Sequence, residues 1–227
     1  MIENKKIFIC CTEQSGENIA FNICKRLKKY NYQIDGVVGA LSEKYITNKY
    51  FDISIFKSLG LIEIIFSIPK FIKIINYLFL QIIKNKYDLV ILIDSPDFNY
   101  HLAKKLKRNN FNKKVIQIVA PTVWAWRKGR AKKFAKYYDE ILTLFKFEKK
   151  YFEKYGLKTT FIGHPISLIN SNLINANNDK KFIAFLFGSR ENEINKLYPY
   201  FKYIHDYMIA QKIDKYDLFI PTLPHLK

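Results

Sequence analysis

The chain has 227 residues, 49% of them hydrophobic, with 38 Lys and Arg against 20 Asp and Glu for a formal net charge of +18. That length and apolar content exclude a disordered chain and give room for one large domain or one and a half ordinary ones. The surplus of bases fits an anionic partner (nucleic acid, acidic lipid or a phosphorylated substrate), and it also fits the Lys-, Ile- and Asn-rich composition that AT-rich coding produces without selection for binding.

In chain order, KIFICC (6–11) reads as a first strand rather than the apolar region of a signal peptide, since no long apolar run or small-residue cleavage site follows it. Cys10 and Cys11 are adjacent, so in a strand they face opposite sides and cannot clamp one metal. Together with Cys24 they read as packed, reduced thiols of a cytosolic protein. A loop, TEQSGEN (12–18), leads to an expected helix over 19–30, and QIDGVVG (33–39) is a second strand.

The most apolar stretch, residues 59–84, is interrupted by Glu63, Pro69, Lys70 and Lys73 before about 20 clean apolar residues accumulate, so no membrane-crossing helix is predicted. From Ile68 onward its apolar residues recur at helical spacing, which predicts an amphipathic helix with a broad apolar face. Such a face either covers a sheet or lies in a membrane interface with its lysines near lipid phosphates.

LVILID (89–94) is a buried strand, followed by a helix over 101–109, a strand over 114–121 and a helix over 129–138. A strand over 140–145, a helix over 148–156 and TTFIGHP (159–165) complete the series. The alternation predicts an α/β fold with a doubly wound parallel sheet, whose ligands bind at the carboxyl ends of the strands. Residues 166–179 are Asn- and Ser-rich and read as a linker after an N-terminal domain, 1–165. The rhythm restarts with a strand over 180–187, a helix over 194–211 and a strand over 217–222. Residues 180–227 therefore open a second Rossmann-like domain. Two strands do not make a sheet with two covered faces, which implies a fragment or a domain completed from elsewhere.

Three clusters carry chemistry. In IDSPDFN (93–99), Asp94 stands where a buried strand ends, so its carboxylate can project into the ligand crevice and act as a general base toward a hydroxyl. The alternative is a turn in which Asp94 orders the loop and Asp97 caps the next helix. In APTVWAWRKGR (120–130), both tryptophans of the chain stand beside Arg127 and Arg130. Planar groups next to guanidiniums suit a sugar face and a phosphate, and equally a packed loop before a basic helix. In FGSRENEI (187–194), Gly188, Ser189 and Arg190 form a strand–turn–helix anion site with free backbone N–H groups, a hydroxyl and a guanidinium. Glu13 and Glu17 oppose a phosphate in TEQSGEN and better suit sugar hydroxyls. His164 is a loop histidine, a ligand contact or a structural residue. No paired-cysteine, HExxH, GxGxxG or Walker pattern is present, and no nucleic-acid-binding motif accompanies the basic charge.

These stretches, with FDISIFKSLGLIEII (51–65), FKFEKKYFEKYG and FIGHPI, run in an order that resembles the lipid-A-disaccharide synthase family of inverting glycosyltransferases. The resemblance implies a two-domain glycosyltransferase B fold with its active site in the cleft. It implies a reaction joining UDP-2,3-diacylglucosamine to 2,3-diacylglucosamine 1-phosphate (lipid X), with release of UDP and with no cofactor or metal. It implies Asp94 as the base, Glu13, Ser15, Gly16, Asp97, Trp126, Arg127 and His164 on the substrate, and Gly188, Ser189 and Arg190 on the donor phosphate. A cytoplasmic protein, peripheral on the inner membrane from which its acylated substrates come, is implied as well. The alternative is a partial remnant that binds acylated sugar phosphates at the membrane surface without turnover. Thr12 stands where the family has Gly, Glu17 where it has Asp, and Phe187 where it has Pro; the family's second domain also continues beyond Lys227.

Overall fold

Seven parallel strands share one sheet in the computed structural model, which describes residues 5–57, 64–168, 181–188, 191–213 and 215–221. The strands are β1 (Lys6–Cys11), β2 (Gln33–Val38), β3 (Asn48–Asp52), β4 (Leu89–Ile93), β5 (Lys114–Ile118), β6 (Glu140–Thr143) and β7 (Lys158–Phe161). The helices between them are α1 (Gln14–Lys29), α2 (Ala40–Glu43), α3 (Ser54–Lys57), α4 (Ile64–Asn85), α5 (Pro96–Arg108), α6 (Arg130–Ala135) and α7 (Lys149–Glu153). The sheet order is β3-β2-β1-β4-β5-β6-β7, so the chain reverses direction across the sheet between β1 and β4.

Right-handed crossovers then place α1 and α2 on one face and α4 to α7 on the other. The two core clusters divide accordingly. Ala20 and Cys24 of α1 pack with Ile7, Ile9, Cys11, Ile91 and Ile93. Leu78 and Ile82 of α4, Leu102 and Leu106 of α5, Phe134 and Phe152 pack with Phe8, Cys10, Val90 and Leu92. Cys10 and Cys11 thus point to opposite faces, as strand alternation requires. Burial of each such Leu, Ile or Phe side chain contributes about 1.5–3 kcal/mol.

The structure corrects several expected boundaries. TEQSGEN is not a loop: α1 starts at Gln14, one residue after the extended Glu13, so Ser15 and Gly16 lie in its first turn. Glu17 does not face ligand; it is fully buried, and its carboxylate accepts the Gly39 and Ser42 N–H groups at 2.8 and 2.9 Å, satisfying donors at the start of α2. Helix α5 begins at Pro96 rather than 101, because proline is pre-set for the first helical position. Strand β3 was not expected from the pattern; it is a half-buried edge strand without apolar alternation.

Contacts divide the chain into two units, Met1–Asn170 and Ser171–Lys227. The expected linker begins in a 3-10 turn, Pro165–Leu168, and its residues 169–179 lie outside the described residues. The second unit pairs β8 (Lys181–Ala184) in parallel with β9 (Tyr216–Phe219) across α8 (Glu191–Ala210). Phe185 stacks on Phe201 at 4.8 Å between ring centroids, and Phe185 and Met208 are buried.

Candidate active site

The reversal between β1 and β4 opens a crevice at the carboxyl ends of two adjacent strands, where doubly wound sheets bind ligands. The residues that follow those two strands meet there. Ser15 Oγ donates to Asp94 Oδ2 at 2.5 Å, Ser95 Oγ donates to Glu13 Oε1 at 2.8 Å, and Thr12 Oγ1 donates to Ser95 Oγ at 2.5 Å. Gly16 makes the close approach feasible. A Cβ there would lie 2.9 Å from Cys11 Sγ and 3.2 Å from both Asp94 Cβ and Ile93 Cγ2.

Asp94 and Ser95 are consecutive left-handed residues, with φ of +54° and +41°. Non-glycine residues there cost about 1–2 kcal/mol each, so the surroundings must impose the conformation. They do so through the Asp94 backbone. Its N–H donates to the Ile118 carbonyl at 2.9 Å. Its carbonyl accepts Asn99 Nδ2 at 2.8 Å and Gln117 Nε2 at 2.9 Å, from two fully buried amides. The clamp ends β4 abruptly and turns the half-buried Asp94 carboxylate to the crevice side, toward Ser15. Neither Asn99 nor Gln117 was read from the sequence as a site residue. A polar residue among the apolar neighbours of β5 was the available signal for Gln117.

Asp97 does not cap α5, since no side-chain cap bond is formed there. Its exposed carboxylate instead pairs with the Arg130 guanidinium and lies 3.9 Å from that of Arg127. Arg127 in turn stacks over the Trp126 ring at 4.3 Å, and Trp126 Nε1 donates to Thr122 Oγ1 at 3.2 Å. The two clusters are joined by the first turn of α5. His164 is not brought to Asp94. It follows β7, three strands from β4 and so roughly 14 Å across the sheet, where its ring stacks on Phe145 at 5.7 Å and its Nδ1 accepts the Ile166 N–H at 3.2 Å.

In the second unit, Gly188 has φ +92° and faces the Glu193 carboxylate, which occupies the space a Cβ would need. Ser189 and Arg190 lie outside the described residues.

A doubly wound parallel sheet followed by a second strand–helix–strand unit is the fold of the glycosyltransferase B class. Solved structures share it. A UDP-GlcNAc 2-epimerase from Neisseria meningitidis, solved bound to UDP-GlcNAc, matches at TM-score 0.58 and 12% identity, over 96% of this chain and 65% of that one. A glycosyltransferase from Rickettsia africae matches at TM-score 0.53 and 13% identity, over 96% and 68%. The family described as lipid-A-disaccharide synthetase matches residues 7–225. The lipid-A-disaccharide synthases of Acinetobacter baylyi and Wigglesworthia glossinidia brevipalpis are 31% and 36% identical, over 86% and 96% of this chain. The chain belongs to the lipid-A-disaccharide synthase family. It spans about half the length of these relatives, 52% and 58%.

Proposed function

We propose that this chain carries the acceptor-side half of a disaccharide-forming glycosyltransferase. The acceptor is 2,3-diacylglucosamine 1-phosphate (lipid X) and the donor is UDP-2,3-diacylglucosamine. Asp94 takes the proton of the acceptor's 6-hydroxyl as that oxygen attacks the anomeric carbon of the donor. The bond from that carbon to the diphosphate breaks, UDP leaves, and a β-1,6-linked disaccharide 1-phosphate forms. The observation that carries this reading is the Asp94 carboxylate at the sheet's reversal point. Ser15 fixes one of its oxygens, and the other, Oδ1, has no hydrogen-bond partner among the described residues. Glu13 and Gly16 line the same side, Trp126 and Arg127 offer a ring and a charge for sugar and phosphate, and the family resemblance assigns Gly188, Ser189 and Arg190 to the leaving diphosphate.

The same reading puts the protein on the cytoplasmic surface of the inner membrane. Among the described residues no helix is long and apolar enough to cross a membrane. Helix α4, however, exposes Ile68, Ile72, Leu80 and Ile83 beside Lys70, Lys73 and Lys84, an arrangement suited to an interface containing anionic lipid. Flotation with anionic liposomes tests this; protein remaining at the bottom of the gradient removes membrane contact from the proposal.

Disaccharide formation by the purified chain, from both acylated substrates, tests the reaction beside Asp94→Asn. Product that disappears in the variant supports Asp94 as the base. Binding of lipid X without product from either protein reduces the proposal to a domain that holds acylated sugar phosphates.

A further inference from the structure

FKFEKKYFEKYG contains two half-exposed phenylalanines that the reaction above does not use. Phe145 and Phe147 are each 46% exposed, and Trp124 is 42% exposed. With His164 they form one continuous run of rings. Trp124 meets Phe147 edge-on at 5.5 Å, Phe147 stacks on Phe145 at 5.7 Å, and Phe145 stacks on His164 at 5.7 Å. The rings come from the loops after β5, β6 and β7, so the run follows the carboxyl edge of the sheet away from Asp94.

We propose that this ladder is the binding strip for a fatty-acyl chain of an anionic, acylated sugar phosphate. The proposal rests on the functional reading above and adds a subsite to it. The chemistry of the strip selects an alkyl chain over a base or a sugar. Phe145 and Phe147 offer only carbon. At the far end, the Ile166 N–H takes His164 Nδ1. A sugar or a nucleobase needs polar partners that the two central rungs, Phe145 and Phe147, lack, whereas a hydrocarbon chain needs only apolar area removed from water. The Trp124 end of the strip carries positive charge for an anionic head. Arg127 and the exposed Lys128 stand at the Trp124 end, next to the Asp94 crevice, where an anionic head would lie.

Trp124 is a rung of this strip and Trp126 stacks with Arg127 beside it, so Trp126→Phe leaves one tryptophan whose fluorescence reports on the strip, and the titrations are run in that background as well. The full chain is titrated with glucosamine 1-phosphate, with its diacylated form carrying brominated acyl chains, with a brominated fatty acid, and with UDP. Binding is measured independently by equilibrium dialysis. The expected result is quenching by both brominated probes, none by glucosamine 1-phosphate, and affinity for the acylated probe falling about tenfold in Phe145→Ala/Phe147→Ala, an apolar loss of the size a buried ring contributes. Phe147→Leu, which keeps the apolar surface, retains most of the affinity. Dialysis that shows the acylated sugar phosphate bound without quenching overturns the ladder and leaves the functional reading standing. Absence of sugar-phosphate binding, with quenching by the fatty acid retained, overturns the functional reading and leaves the ladder as an acyl site. Weakened UDP binding in the Phe variants, with acyl binding unchanged, overturns the ladder in favour of a nucleoside platform.

Discussion

Ser15 and Asp94 are 79 residues apart in sequence, and the serine hydroxyl donates to the aspartate carboxylate at 2.5 Å. The bond joins the first turn of α1 to the end of β4 and fixes one oxygen of the proposed base. Removing the base by Asp94→Asn is expected to lower disaccharide formation by roughly 10²–10⁴-fold. Ser15→Ala leaves the carboxylate in place but unoriented. Its expected effect is a smaller fall in kcat with little change in KM, measured by steady-state kinetics on the same substrates.

Gly16 sets the distance between α1 and that carboxylate. In Gly16→Ala the new methyl meets Cys11 Sγ at 2.9 Å and Asp94 Cβ at 3.2 Å, and neither a buried strand residue nor the clamped Asp94 can retreat freely. Overpacking of this kind costs about 1–3 kcal/mol. Urea unfolding should show the midpoint lowered with an unchanged slope.

The two amides on the Asp94 carbonyl act as a pair. Gln117→Leu leaves Asn99 to hold the carbonyl and is expected to cost about 1–2 kcal/mol; Asn99→Leu should behave alike. The double variant frees the left-handed turn altogether, so its loss is expected to exceed the sum of the single losses. A double-mutant cycle in urea measures the difference, and strict additivity would contradict a shared clamp.

The thiols report on the same packing. Burial pushes Cys11 up to about 12, and the nearby Glu17, Asp94 and Glu13 carboxylates push in the same direction. Burial likewise raises Cys24 to about 12. Neither should react with a thiol reagent at pH 8 until the chain unfolds. Above pH 9 the unfolded chain releases these protons and the folded chain keeps them, so stability falls as pH rises from 9 toward 12. Cys24→Ala should flatten that fall by about 1.4 kcal/mol per pH unit at most, read from unfolding midpoints across the range.

The sequence by itself determined the alternation of strands and helices, the parallel sheet and the family. Apolar runs such as LVILI and helical stripes such as Leu102 and Leu106 follow from burial on one or two faces, which is a local property of the chain. It also singled out Asp94, because an acid at the end of a buried strand breaks a local pattern. What the sequence left open depended on contacts between distant residues. Glu17 looked available to ligand, yet it is consumed by the N–H groups of Gly39 and Ser42. Asp97 had the position of a cap, yet it reaches Arg130, 33 residues on. Asn99 and Gln117 carry no motif, and the half-buried edge strand β3 has no alternation to read. Only the tertiary structure, by bringing the ends of β1, β4 and β5 side by side, decided which polar side chains satisfy the backbone around Asp94. The physical reason is that a hydrogen bond in the interior is chosen by proximity in space, and sequence spacing does not encode it.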